Sequence, residues 1–238
     1  LARATKVYVL SKKIHDEISP HHPQVDYLTF TREKSRFQAK PPNNQCINIA
    51  LIGFCKSPAF SASLAYLKEA LSALKSMGID ATLTYIGSRE QFGLSTDQFG
   101  NDIRFTGFKN DNDLRDAALA DAHVAFLSGP SEDPESDFRS KYSVTSRILD
   151  FMAVGLPTIA VAHPDSATAD FLKAPPFKAI HLGRNTRDIV EALVRMTCPE
   201  HWLAINQATL EGFALYLASN FPKEKLKEAL THIGRLSV

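Results

Sequence analysis

Residues 141–160 carry the densest set of chemically useful groups in this 238-residue chain. They read Lys141-Tyr142-Ser143-Val144-Thr145-Ser146-Arg147-Ile148-Leu149-Asp150 and continue Phe151-Met152-Ala153-Val154-Gly155-Leu156-Pro157. The pattern predicts a helix that opens at Thr145 or Ser146 and breaks at Gly155, with a strand starting at Pro157. At such an opening, small hydroxyls and backbone N–H groups without helical partners converge, and that combination holds anions, above all phosphate. Ser143, Val144, Thr145 and Ser146 are therefore candidates to hold a diphosphate. Asp150 lies about one turn further in, among Ile148, Leu149, Phe151, Met152 and Ala153. A carboxylate with such neighbours is costly without a partner. Two ribose hydroxyls would supply one; an aspartate on an exposed helix face is the alternative.

These groups need a scaffold, and the remainder of the chain supplies its pattern. Short apolar runs near 47–53, 81–86, 103–107, 122–127, 157–162 and 179–182 alternate with helical stretches near 61–77, 112–119, 145–154, 167–172, 186–196 and 199–220. In the first helical stretch, Leu64, Leu67, Leu71 and Leu74 recur at helical spacing and Gly78 follows. Either Asn112 or Asp113 would cap the second. Strands poor in polar residues that alternate with helices imply a parallel sheet covered on both faces. The expected fold class is α/β, a doubly wound, Rossmann-like parallel sheet. Ligands of such sheets bind at the strand carboxyl ends, here near 53–57, 87–90, 107–110, 128–146 and 163–168. The first of these reads Gly53-Phe54-Cys55-Lys56-Ser57, which makes Gly53 and Lys56 phosphate-site candidates.

Composition narrows the function classes. Hydrophobic residues make up 44% and charged residues 22%, which excludes a disordered, collagenous or disulfide-scaffold chain. Lys and Arg number 27 against 26 Asp and Glu, so the net charge of +1 argues against a nucleic-acid partner. Three cysteines, Cys46, Cys55 and Cys198, are too scattered for a cysteine zinc site and point to a reducing, cytoplasmic setting. No apolar run approaches the roughly 18–20 residues that span a bilayer. The mixed Lys/Glu pattern near 222–236 would allow membrane contact only peripherally. A Gly-x-Gly-x-x-Gly turn, a Walker-type phosphate loop and a nucleophile elbow are all missing. His123 falls inside an apolar run and suits a core or edge position. His21 and His22 lie between prolines without the carboxylates or thiols that a metal site would add. No metal and no cofactor is expected.

The segment Leu149-Asp150-Phe151-Met152-Ala153-Val154-Gly155-Leu156-Pro157-Thr158-Ile159 resembles the donor-binding signature Leu-Glu-x-Met-Ala-x-Gly-x-Pro-Val-Ile of GT-B glycosyltransferases, family 4 in particular. Upstream, Ile103 to Gly107 is similar to that family's Ile-x-Phe-x-Gly strand. Asp113-Leu114-Arg115 with Ala120-Asp121-Ala122-His123-Val124 resembles its Leu…Ala-Asp-x-x-Val stretch, and Gly129-Pro130-Ser131 its Pro-Ser element. The resemblance spans about residues 47–200 in the family's order. It implies one half of a GT-B architecture, the C-terminal domain that binds a nucleotide-diphospho-sugar and, with an N-terminal acceptor domain, transfers the sugar to an acceptor hydroxyl. The expected activity is that of a retaining glycosyltransferase of the kind used in polysaccharide biosynthesis, with this half inactive alone.

Residue by residue, the resemblance puts Asp150 in place of the ribose-binding glutamate of the Glu-x7-Glu motif. Tyr142 stands where the motif's first acid belongs, with Glu132, Asp133, Glu135 and Asp137 as acids nearby. It makes Lys141 and Arg147 phosphate candidates, adds Ser131 to the donor site, and sets Phe108 against the nucleotide base. Residues 1–45 then read as an interdomain connector, the tail of a missing N-terminal acceptor domain; with eight Lys/Arg against four Asp/Glu they form a basic, solvated stretch. Because the chain starts at Leu1, it is expected to be a piece of a longer polypeptide. Residues 46–200 form the nucleotide-sugar-binding domain and 201–238 C-terminal helices. The tyrosine at the acidic position supports an alternative, a non-catalytic nucleotide-binding or protein-interaction module on the same scaffold. A phosphorylase would need a pyridoxal-phosphate lysine, and none can be placed.

Overall fold

A computed structural model describes residues 7–9, 12–27, 30, 32–43, 46–53, 60–92, 99–129, 141–177 and 179–219. Six parallel strands form the main sheet: β3 (Cys46–Ile52), β4 (Asp80–Ile86), β5 (Ile103–Phe105), β6 (Val124–Ser128), β7 (Thr158–Val161) and β8 (His181–Gly183). Their spatial order is β5-β4-β3-β6-β7-β8, the doubly wound arrangement the alternating pattern predicts. Helices α2 (Ser61–Ser76), α4 (Asn112–Ala120), α5 (Arg147–Ala153), α6 (Ala167–Leu172), α7 (Thr186–Met196) and α8 (Pro199–Ser219) join and cover the strands, with a short α3 (Arg89–Phe92) after β4.

Burial follows the sequence pattern. Ile47, Ile49, Ala50 and Leu51 of β3 and all five residues of β6 are buried, as the strands of a sheet covered on both faces must be. The four leucines of α2 are buried along one stripe. One edge-to-face aromatic cluster, Tyr85, Phe92, Phe99 and Phe105, closes the β4–β5 side, with ring centroids 5.0–5.8 Å apart. Behind β6, Trp202 of α8 is fully buried and its Nε1 donates to the His123 carbonyl at 2.6 Å. His123 itself precedes β6 and accepts from the Asn48 N–H through Nδ1 at 3.0 Å; burial pulls its pKa down. It serves the sheet.

Before the main sheet, β1 (Val7–Val9), α1 (Lys12–Ile18) and β2 (Val25–Tyr27) form a small parallel βαβ unit. Residues 32–43 then run without regular structure along the domain. The Ala39 N–H donates to the Val154 carbonyl at 2.9 Å, and the Tyr216 hydroxyl to the Phe30 carbonyl at 2.8 Å. The cap of α4 is Asp111, one residue before the pair named from sequence. Its carboxylate accepts from the N–H groups of Asp113 and Leu114, an arrangement that needs the capping residue in extended backbone just ahead of the first turn. The helix expected in 222–236 lies outside the described residues.

Gly155 ends α5 at φ +68°, and a Cβ there would lie 2.7 Å from Asn206 Nδ2 and 2.9 Å from Leu210 Cγ of α8. Both the left-handed backbone and the close approach require glycine. Gly155→Ala is therefore expected to lower stability by about 1–3 kcal/mol, read as a reduced urea midpoint at unchanged m-value.

Candidate functional site

Strand order reverses between β3 and β6, and the strand carboxyl ends on either side of that point open a crevice. Two cavities lie there. The larger, about 320 Å³, is bounded by Ile52 and Gly53 at the end of β3, Tyr85 and Ile86 at the end of β4, Gln91, the 108–110 loop and Arg115 of α4. Phe108, 64% exposed, forms part of its rim behind Gly107, whose φ of +75° makes the turn. The smaller, about 210 Å³, is bounded by Ser143, Val144, Thr145, Ser146 and Arg147 together with Phe60, Ser128 and Thr168.

Local structure explains the smaller cavity. Helix α5 starts at Arg147 with Ser146 at its N-cap, and the Ser146 hydroxyl makes no capping bond. The preceding segment is fixed instead by Thr168 of α6, whose hydroxyl donates to the Ser143 carbonyl at 2.8 Å. Ser128, at the end of β6, shares a 2.6 Å hydrogen bond with Ser63 of α2. Hydroxyls and an arginine thus face one small space, with no carboxylate in its wall among the described residues. Arg147 also borders the other cavity's edge: a Cβ on Gly53 would lie 2.0 Å from its Cζ, and Gly53 has φ +110°. Only glycine lets the guanidinium cross there.

Behind the larger cavity lies a cluster of four charges. Arg32, from the segment after β2, pairs with Asp116 of α4, and its Nε lies 2.9 Å from Asp150 Oδ1 of α5. Arg115 Nη2 lies 3.1 Å from the same Asp150 oxygen. The Arg32 and Asp116 side chains are 7% and 3% exposed, and that of Asp150 is 16% exposed. Burial pushes the Asp150 carboxyl above its ordinary value, while the Arg115 and Arg32 guanidiniums pull the other way.

No protein-family model matches the chain, and no curated protein sequence does. Solved structures do. Sucrose-phosphate synthase from Thermosynechococcus elongatus superposes with a TM-score of 0.65 at 13% identity, over 99% of this chain and 59% of that one. The pneumococcal O-GlcNAc transferase GtfA, in complex with UDP and GlcNAc, gives 0.60 at 12%, over 96% and 44%. WaaG, a glycosyltransferase involved in lipopolysaccharide biosynthesis, gives 0.58 at 13%, over 92% and 61%. The fold is that of the GT-B glycosyltransferases. The chain spans less than two thirds of the length of each of these proteins.

On this GT-B scaffold the residues named from sequence part into groups. Ser143, Val144, Thr145, Ser146 and Arg147 come together around one cavity; Gly53 and Phe108 border the other. Asp150 stands in the wall behind, joined to arginines. Lys141 and Tyr142 turn toward α1. The Tyr142 hydroxyl donates to Glu17 Oε1 at 2.6 Å, and Lys141 Nζ lies 3.3 Å from the same oxygen and 5.2 Å from the Tyr142 ring centre. The Tyr142 hydroxyl, seconded by Lys141, holds the Glu17 carboxyl below its usual range. Lys56, Ser131, Glu132, Asp133, Glu135 and Asp137 lie outside the described residues. Among the described residues no group of three or more His, Cys, Asp or Glu side chains could hold a metal. No described helix is long and apolar enough to cross a membrane.

Sequence reasoning missed Arg32, Asp116, Arg115 and Glu17. For Asp116 a signal existed: it stands three residues before buried Leu119, on the inward face of α4, where a charge demands a partner. Arg32 is that partner. Arg32→Met would leave Asp116 buried without its cation, a loss of about 3–5 kcal/mol. Adding Asp116→Leu to it should recover most of that stability. Urea denaturation of the wild type, the single and the double variant checks both expectations.

Proposed function

We propose that the chain is the donor half of a GT-B glycosyltransferase, binding a nucleotide-diphospho-sugar across the crevice between β3 and β6. The observation that carries this reading is the pair of adjoining cavities with Arg147 between them. One is rimmed by an aromatic ring and suits a base; the other is lined by hydroxyls and a guanidinium and suits a diphosphate. The fold neighbours include a transferase solved with UDP, which supports a nucleotide in this class of crevice. In the proposed complex the base lies against Phe108 and beside Gly53, while the diphosphate takes the hydroxyls and N–H groups of 143–146 and the Arg147 guanidinium. Asp150 accepts from the ribose. Lys56 and Ser131, which follow β3 and β6 in sequence, belong to the donor site in this reading. Lys141 keeps its assignment near the phosphates through exchange from Glu17.

The sugar then passes to an acceptor hydroxyl held by an N-terminal acceptor domain. The bond between the anomeric carbon and the diphosphate oxygen breaks, a bond to the acceptor oxygen forms, and the acceptor proton departs. Arg147 and the 143–146 donors stabilise the charge growing on the leaving diphosphate. Retention of configuration, a place in polysaccharide assembly and a cytoplasmic setting belong to this proposal.

A second reading has an observation of its own. Tyr142, at the position of the motif's first acid, is engaged with Glu17 rather than open to a sugar. That favours a nucleotide-binding module without transfer.

Calorimetric titration with UDP and with uridine tests the site. Arg147→Met is expected to weaken UDP about tenfold or more, since a charge-assisted contact is lost, and to leave uridine affinity unchanged. Equal effects on both ligands would remove the diphosphate from the 143–147 cavity. UDP binding without sugar transfer, after an acceptor domain is added, would favour the second reading.

A further inference from the structure

The larger cavity has an unusual balance of hydrogen-bonding groups. Among the described residues its wall holds two cations, Lys109 and Arg115, and no carboxylate. Its other polar side chains are partly committed: the Tyr85 hydroxyl donates to the Gly53 carbonyl, and Gln91 Oε1 accepts from the Ser88 N–H at 3.0 Å. Asn110, which can donate or accept, completes the polar wall, so the two cations are its charged donors.

Of the two cations, Arg115 is the oriented one. Its Nη2 donates to Asn112 Oδ1 one turn back on α4 and lies 3.1 Å from Asp150 Oδ1. Asp150 is fixed in turn by Arg32, which Asp116 balances, so the guanidinium rests on a four-charge cluster of zero net charge. Its Nε is buried and takes no acceptor among the described residues. That nitrogen is out of a ligand's reach, so the guanidinium acts on the cavity as a group held from behind and presented by the wall that Arg115 forms. A site built to hydrogen-bond a ligand atom rejects the analogue that lacks it, because the protein group is then left unpaired.

We propose that Arg115 is the specificity-determining residue of this cavity: its guanidinium donates to a carbonyl oxygen of the nucleotide base, selecting an oxo base, uracil or guanine, over adenine. This rests on the nucleotide reading above and extends it to the identity of the base. Uracil offers two carbonyl oxygens, and guanine offers O6 beside N7, the pair that an arginine fork matches. Adenine offers N7 beside an amino group, so one arm of the fork would meet a donor. Phe108, exposed at the rim, supplies the face on which any base can stack and carries no such preference. Asn112 and Asp150 are positioning residues, acting on the base through Arg115.

The test is calorimetric titration of the full chain with UDP, GDP and ADP at one ionic strength. The better of UDP and GDP should bind at least about tenfold tighter than ADP, the worth of one charge-assisted hydrogen bond. Arg115→Lys, which keeps the charge and loses the fork, should bring that ratio within about threefold while circular dichroism shows the fold intact. Equal binding of all three nucleotides by the wild type overturns this inference and leaves the donor-half reading standing, and that measurement needs no variant to fold. A folded Arg115→Lys protein that keeps the wild-type ratio overturns it too. Binding of none of the three overturns both readings at once.

Discussion

The pairing of two arginines with two aspartates, buried or half-buried, is the constraint on which the rest of this structure depends. Each of those charges alone would be costly inside a protein. Together they are neutral, and they join three segments that sequence keeps far apart: the stretch after β2 through Arg32, α4 through Arg115 and Asp116, and α5 through Asp150. The arrangement sets the angle between α4 and α5, and those helices carry one wall of each cavity. Such a cluster adds little net stability compared with apolar packing, but it tolerates few alternative arrangements. Its value here is geometric.

Much of the fold was legible in the sequence because it rests on local and periodic signals. The apolar runs near 47–53 and 122–127 became β3 and β6, and the leucines of α2 fell on one buried stripe. Glycine marked the ends of α2 and α5, where the described backbone has positive φ at Gly78 and Gly155. Boundaries drifted by a residue or two, as with the Asp111 cap. In residues 7–27 the elements themselves carry local signals, but the parallel pairing of β1 with β2 does not, because two three-residue strands leave no pattern that names a partner.

The site was legible in part, for a reason of the same kind. Residues 143–147 are contiguous, so their convergence could be foreseen from one segment. Asp150 was recognised as a carboxylate in need of a partner, yet its partners, Arg32 and Arg115, lie 118 and 35 positions away. Nothing in local periodicity reveals a contact across such distances. The same holds for Glu17, whose carboxylate meets Tyr142 across 125 positions. The fold alone does not name a reaction; the two cavities and their donors are what narrow the chemistry toward an anionic, oxygen-rich ligand.

The indole of Trp202 has a practical consequence. It is the single tryptophan of the chain, sealed between α8 and the sheet with its N–H on the His123 carbonyl. Tryptophan emission from this protein, excited beyond the tyrosine band, thus comes from one known place. A shift of that emission to longer wavelength would signal water reaching the seam behind β6, giving an optical gauge of how firmly α8 is docked without any label being attached.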